Sequence, residues 1–318
     1  MKHPLFFKPI CQERVWGGRQ LERALGRDLP EGAVIGESWE IVDRPEAQSL
    51  AEGGEGEGLS LRALIERDPE GLMGPGYEAA RPFPLLVKWL DCSDRLSVQV
   101  HPPAAAAGEL GGEPKTENWY VAERREGAAL YVGLRRGVTR EEFERRLAEE
   151  TLEECLHKAE TDPGDSLLVK SGRLHAIGGG NLILEIQQNS DTTYRVYDWG
   201  RKGLDGKPRE LHVEASLRCI DWNDFEPAPM KTEGASVLLA DCEEFRLVKR
   251  TLGPGEPPLE LEPGQPRLLS VVEGSVSVAS EAGLTEAAFG RNALLPAAGA
   301  FALRAAAPAS VILTDRFV

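Results

Sequence analysis

Cysteine, histidine and positive charge are all in short supply in this chain. The five cysteines (Cys11, Cys92, Cys155, Cys219, Cys242) are scattered with no CxxC pair, which excludes a disulfide scaffold or a cysteine-based zinc module and suits a reduced compartment. Lysine and arginine number 37 against 52 aspartates and glutamates, for a net charge of −15. That balance excludes nucleic acid as a main partner, since phosphate backbones need clustered cations. No run of about eighteen apolar residues occurs, so no transmembrane helix is expected and no membrane partner either. The segment Met1 to Gln12 is too short and too polar for a secretory leader, and a cytoplasmic location is expected.

What is present is a chain with material for a core: 41% of its 318 residues are hydrophobic. Frequent Gly and Pro punctuate short apolar runs, a pattern of β-sandwiches and barrels and not of βαβ units. Strands are expected at 84–90, 96–101, 182–188 and 193–197, and beyond the Pro- and Gly-broken stretch 223–234 at 245–250, 268–272, 275–279 and 311–314. Helices are expected mainly in one segment. Thr139 precedes Glu142 in a capping-box pattern, with Phe143 and Leu147 at i, i+4, and Thr151 to Glu154 repeats the pattern. Leu61 to Arg67 is a further helical candidate. The stretches 52–58 and 253–266 read as loops. The division expected is a domain over 1–225 with a helical insertion near 139–158, then a β domain over 235–318 that has no histidine. A faint repeat links Gly164, Lys170 and Gly172 to Gly290, Pro296 and Gly299; the first unit ends in His175 and the second is bare.

Histidine is the residue to follow, because there are only five. In the run Leu96 to His101, period-2 alternation puts Leu96, Val98 and Val100 on one face and Ser97, Gln99 and His101 on the other. His175 follows the turn Lys170-Ser171-Gly172. Two imidazoles, a carboxylate and an amide form a mixed N/O set that suits zinc and leaves room for water or substrate. Spacing alone does not select Glu117, which reads as a surface carboxylate. Trp16, beside Gly17 and Gly18, is a candidate for lining a ligand pocket. Lys88 and Arg201 are candidates for an anionic group, from charge and position. From the residues alone, Arg195 and Asp198 read first as a structural ion pair on a strand, and His212 as a structural or supporting residue.

The segments Trp16-Gly17-Gly18, Ile35 to Glu40, Leu96 to Pro102, Lys115-Thr116-Glu117 with Trp119 and Tyr120, Leu174 to Gly178, and the long run Glu185 to Arg201 stand together in this chain. Taken together they resemble the type I mannose-6-phosphate isomerases, most of all the shorter bacterial ones. The resemblance spans at least Pro4 to Trp222. It implies a mainly β fold of two cupin-type double-stranded β-helix (jelly-roll) barrels with a small helical segment. It implies one zinc per chain on Gln99, His101, Glu117 and His175. It also implies interconversion of mannose 6-phosphate and fructose 6-phosphate through an enediolate. Arg195 then corresponds to the family's functional arginine, and Lys115 to a lysine near the metal, whose pKa a neighbouring cation and burial would lower. Glu185 is an alternative base. The chain departs from the usual cupin motif at Lys170 (proline is usual) and Gly179 (asparagine is usual).

Two other readings compete. A cupin metal-dependent oxidoreductase prefers iron with three histidines and a carboxylate, a poorer match to this donor set. A non-catalytic sugar-binding regulatory protein keeps the fold but has no need of Lys115 and Arg195. The sequence leaves the assembly open between monomer and dimer.

Overall fold

The computed structural model describes Met1–Val318, and the protein is mainly β with antiparallel pairing between its strands. Two compact units divide the chain discontinuously: Met1–Ile10, Trp39–Lys88 and Thr232–Val318 form one, Cys11–Ser38 and Trp89–Lys231 the other. A change at Lys231/Thr232 falls within the stretch where Pro and Gly break the sequence pattern. The inclusion of residues 1–10 and 39–88 with the C-terminal third differs from the expected division at 225/235. Local patterning cannot reveal such an arrangement, because contacts between segments far apart in sequence decide it.

The unit holding Trp89–Lys231 is built on two sheets. One runs in the order Leu156–Glu160, Ala129–Leu134, His175–Ile177, Val98–Val100, Tyr194–Tyr197. The other contains Ser166–Val169, Glu117–Arg124 and Asn181–Gln188, and its order continues through Leu85–Cys92, Ile35–Ile41 and Ile10–Gly18, strands that the unit boundary divides at Lys88/Trp89, Ser38/Trp39 and Ile10/Cys11. Side chains from both sheets, among them Leu90, Trp119, Val121, Ile183 from one and Leu130, Val132, Ile177 from the other, make one buried cluster between them. The alternate residues Val98, Val100, Ala176 and Val196 pack on the opposite side with Phe143, Leu152 and Cys219. This alternation aims Gln99 and His175 into the space between the sheets.

Helices are more widely spread than the sequence suggests. Arg140–Ala148 forms as expected, with Thr139 Oγ1 accepting from the Glu142 amide at 3.2 Å. Leu61–Arg67 also forms, capped by Ser60. The second capping pattern yields only a 3-10 turn, Leu152–Cys155, with no side-chain cap. Gln20–Leu25, Pro69–Met73, Ala104–Ala107 and Val213–Cys219 are helical without a strong sequence signal. Each is seven residues or shorter, too short to show a helical period.

In the other unit, six strands run in the order Leu5–Phe6, Asn292–Leu295, Arg267–Glu273, Ala309–Asp315, Arg246–Leu252, Ser236–Asp241. Four more, Leu259–Leu261, Phe301–Arg304, Ser275–Ser280 and Gly283–Ala288, form a second sheet. Leu269, Val271 and Val311 meet Val276, Val278 and Leu303 in a shared core. The expected loop over 253–266 contains the short strand Leu259–Leu261.

One close approach bears on the site. A Cβ on Gly17 would lie 2.4 Å from the Gly36 amide nitrogen, and one on Gly36 would lie 2.5 Å from the Arg14 Cβ. Only two facing glycines let these strands meet with Trp16 folded against them. Gly17→Ala is expected to cost about 1–3 kcal/mol through backbone displacement. A melting curve indistinguishable from that of the unmodified protein would contradict this packing account.

Candidate functional site

His101, Glu117 and His175 converge between the two sheets, their ligand atoms all within 4.8 Å of one another and the residues about 99% buried. Strand register produces the meeting. Gln99 pairs with His175 on one side and with Arg195 on the other, while Glu117 pairs with Gln187 and Val169 in the facing sheet. His101 Nδ1 is 2.9 Å from the Thr192 carbonyl and His175 Nδ1 is 2.8 Å from the Arg173 carbonyl. Each carbonyl can only accept, so each ring carries its proton on Nδ1 and presents the Nε2 lone pair inward. Those two Nε2 atoms lie 3.5 and 3.6 Å from the two oxygens of Glu117. His175 Nε2 is buried with no hydrogen-bond partner, a cost that a cation would relieve. Two neutral imidazoles and a carboxylate, oriented in this way, fit a divalent metal of zinc type.

The electrostatics agree with that orientation. Burial pushes His175 down to about 3, helped by the neighbouring His101, so the ring is neutral. Burial and the Lys115 ammonium lower His101 as well. Burial opposes ionisation of Glu117, yet the Lys115 ammonium outweighs it and holds the carboxyl well below its usual range. Lys115 Nζ lies 2.6 Å from Glu117 Oε2, 3.3 Å from His101 Nε2 and 3.8 Å from Glu185 Oε1. Burial alone would lower its pKa, but the carboxylates of Glu117 and Glu185 prevail and raise it. The lowered pKa expected for Lys115 is therefore not the state found here; two buried carboxylates reverse the sign. Glu185 in turn accepts from the Trp119 indole at 3.0 Å.

A cleft of about 390 Å³ adjoins this cluster at Gln99. Trp16, Ser97, Gln99, Asp191, Arg195 and Arg209 are among its lining, with Arg14 and Glu37. Trp16 is thus part of the wall of this cleft. The Arg195 guanidinium donates to the Glu210 carbonyl at 2.8 Å, and its backbone amide to His212 Nδ1 at 3.2 Å. Two other expected residues are placed differently. Arg201 does not line the cleft; it is engaged by Asp198 at 2.7 Å, by Asp94 at 3.3 Å and by the Arg95 carbonyl. Lys88 belongs to the other unit, buried with its ammonium 5.0 Å from the centre of the Trp39 ring. Asp198 pairs with Arg201 and Arg209 and not, as one reading had it, with Arg195.

Comparison with known proteins settles the family. The sequence profile of phosphomannose isomerase type I, catalytic domain, matches residues 5–130. The mannose-6-phosphate isomerase ManA of Bacillus subtilis is 42% identical over 223 residues, 69% of this chain and 68% of the relative. The chain belongs to the type I mannose-6-phosphate isomerases. The enzyme of that name from Streptococcus mutans is 41% identical over 221 residues, covering 69% of this chain and 68% of its own. The crystal structure of the Bacillus subtilis mannose 6-phosphate isomerase superposes with a TM-score of 0.85 at 29% identity, over 98% of this chain and 99% of that one. A putative mannosephosphate isomerase from Archaeoglobus fulgidus shares the fold, with a TM-score of 0.78 at 24% identity and 98% coverage of both chains. Members of this family are enzymes, aldose–ketose isomerases.

Sequence reasoning missed Arg14, Glu37, Asp191 and Arg209 as cleft residues. Arg14 and Glu37 form a two-pronged ion pair at 2.8 and 3.2 Å across neighbouring strands. Glu37 and Asp191 stand inside family-like segments, and that was the one signal available. Arg209 had none.

Proposed function

We propose that the protein interconverts mannose 6-phosphate and fructose 6-phosphate in the cytoplasm, with one zinc ion per chain on Gln99, His101, Glu117 and His175. The observation that carries this reading is the position of Gln99, which lines the cleft beside Arg195 and also pairs in register with His175. A ligand in the cleft thereby reaches the metal-binding cluster. Five free cysteines accord with a reducing compartment.

The isomerisation moves a proton between C1 and C2 of the open-chain sugar, and an enediolate forms on the way. A bound zinc ion supplies Lewis acidity to the sugar oxygens. The chain's own residues do the rest. Arg195, permanently cationic, lies over the cleft to stabilise negative charge on the enediolate. Glu185 takes the proton from one carbon and returns it to the neighbouring one, while Lys115, kept protonated by its carboxylate neighbours, gives a proton to one oxygen and recovers it from the other. Both are about 95% buried, so the transfer is shielded from bulk water.

The test is turnover of mannose 6-phosphate by purified protein, before and after chelation and with zinc restored. Activity is expected to vanish with the chelator and to return with zinc. No turnover at any metal loading would overturn the assignment.

A further inference from the structure

A second guanidinium, Arg209, lies in the cleft with Arg195, and the way it is held points to a separate task. Asp198, only 5% exposed, grips Arg209 side-on: Nε donates to Oδ2 at 2.7 Å and Nη2 to Oδ1 at 2.5 Å. The opposite end of the fork, Nη1, makes no hydrogen bond within the protein. Asp198 is itself firmly placed. It follows the strand Tyr194–Tyr197, and the next residue, Trp199, takes a left-handed conformation at φ 60, with its indole donating to the Leu96 carbonyl at 2.7 Å. An aromatic residue at such φ is uncommon and is retained where surroundings enforce it. Arg201 donates to the same Asp198 oxygen from outside the cleft. Burial opposes the charge on Asp198, but the two arginines prevail and keep its pKa low. A bridge between Lys202 and Pro208 closes the intervening loop and returns the chain for Arg209 to reach Asp198. The residues just after it support Arg195, through the Glu210 carbonyl and His212.

The other arginines in and beside the cleft explain why Arg209 is the available anion seat. Arg14 spends Nε and Nη2 on Glu37 and Nη1 on the Glu13 carbonyl. Arg201 spends both terminal nitrogens on protein acceptors. Arg209 and Arg195 alone among these four retain a terminal nitrogen without a protein acceptor.

We infer that Arg209 anchors the phosphate of the sugar phosphate, with Asp198 as the positioning residue that orients it and Arg201 as support and not a ligand. This rests on the isomerase reading above and divides the work between two arginines, one for the phosphate and one for the reacting oxygens. A planar guanidinium fixed along one edge presents the other to a tetrahedral anion without further loss of side-chain freedom.

Steady-state kinetics on the zinc-loaded enzyme test this, with inorganic phosphate as a competitive inhibitor. Arg209→Ala is expected to raise KM for mannose 6-phosphate and Ki for phosphate at least tenfold each, with a much smaller change in kcat. Asp198→Asn is expected to produce the same split to a lesser degree. The double variant should be no worse than Arg209→Ala alone, because Asp198 acts through Arg209. Unchanged KM and Ki in Arg209→Ala, or a loss confined to kcat, would overturn the anchor. Additive losses in the double variant would overturn the positioning role of Asp198. If Asp198→Asn does not fold, Arg209→Lys replaces it: a point charge cannot keep both bonds to Asp198, and KM and Ki should again rise. An unmodified enzyme with no turnover would defeat the isomerase reading itself, an outcome distinct from all of these.

Discussion

Replacing Glu117 with glutamine is expected to strip the protein of the zinc proposed above and to cut turnover by about a thousandfold or more, roughly 4 kcal/mol of barrier. The substitution keeps the shape and removes one charge. Glu117 is the sole carboxylate in the cluster with His101 and His175, and a neutral amide gives a divalent cation nothing to balance its charge. The effect reaches beyond the metal. Glu117 is also the nearest counter-charge to the buried Lys115 ammonium, 2.6 Å away. Removing one partner of a buried pair costs about 3–5 kcal/mol, since the remaining charge stays desolvated. Glu185, at 3.8 Å, offsets part of that. Two measurements therefore move together: bound zinc falls from about one per chain to a small fraction, and the metal-free variant melts below the metal-free parent. A variant that retained stoichiometric zinc would rule out Glu117 as a ligand.

How far the site could be read from sequence depends on the distance over which each residue is held. The expected strands at 84–90, 182–188 and 193–197 correspond to Leu85–Cys92, Asn181–Gln188 and Tyr194–Tyr197, because alternation and β-branching are local signals. The shared face of Gln99 and His101 follows from the same period. Glu117 was different. Nothing in its neighbourhood marks it as buried, and it enters the cluster only because its strand pairs with Asn181–Gln188 in a sheet facing the one that holds the histidines. Family resemblance identified it where periodicity could not. Arg209 lies further still from any local signal. Its place depends on a loop closing at Lys202 and Pro208 and on one buried carboxylate, while Arg201, the choice that charge and position suggested, is held by Asp198, Asp94 and the Arg95 carbonyl and does not line the cleft. The division of the chain into discontinuous units was illegible for the same reason.

Arg195 should separate chemistry from metal binding. Arg195→Ala is expected to lower kcat by about a hundredfold to a thousandfold, the range seen when one charge-stabilising donor is lost from a transition state. Zinc content should not change, because the guanidinium makes no contact with His101, Glu117 or His175; it donates to the Glu210 carbonyl. KM should rise far less than in Arg209→Ala, since in the proposed mechanism the stabilised charge exists on the enediolate and not on the bound sugar. Arg195→Lys is the sharper variant. It restores the charge, but a single ammonium cannot both satisfy the Glu210 carbonyl and reach the reacting oxygens with fork geometry. It should therefore recover part of the lost kcat and leave most of it missing. Full recovery by lysine would mean that charge alone suffices at this position. An unchanged kcat in Arg195→Ala would remove Arg195 from the chemical step and return the enediolate's charge to other groups in the cleft.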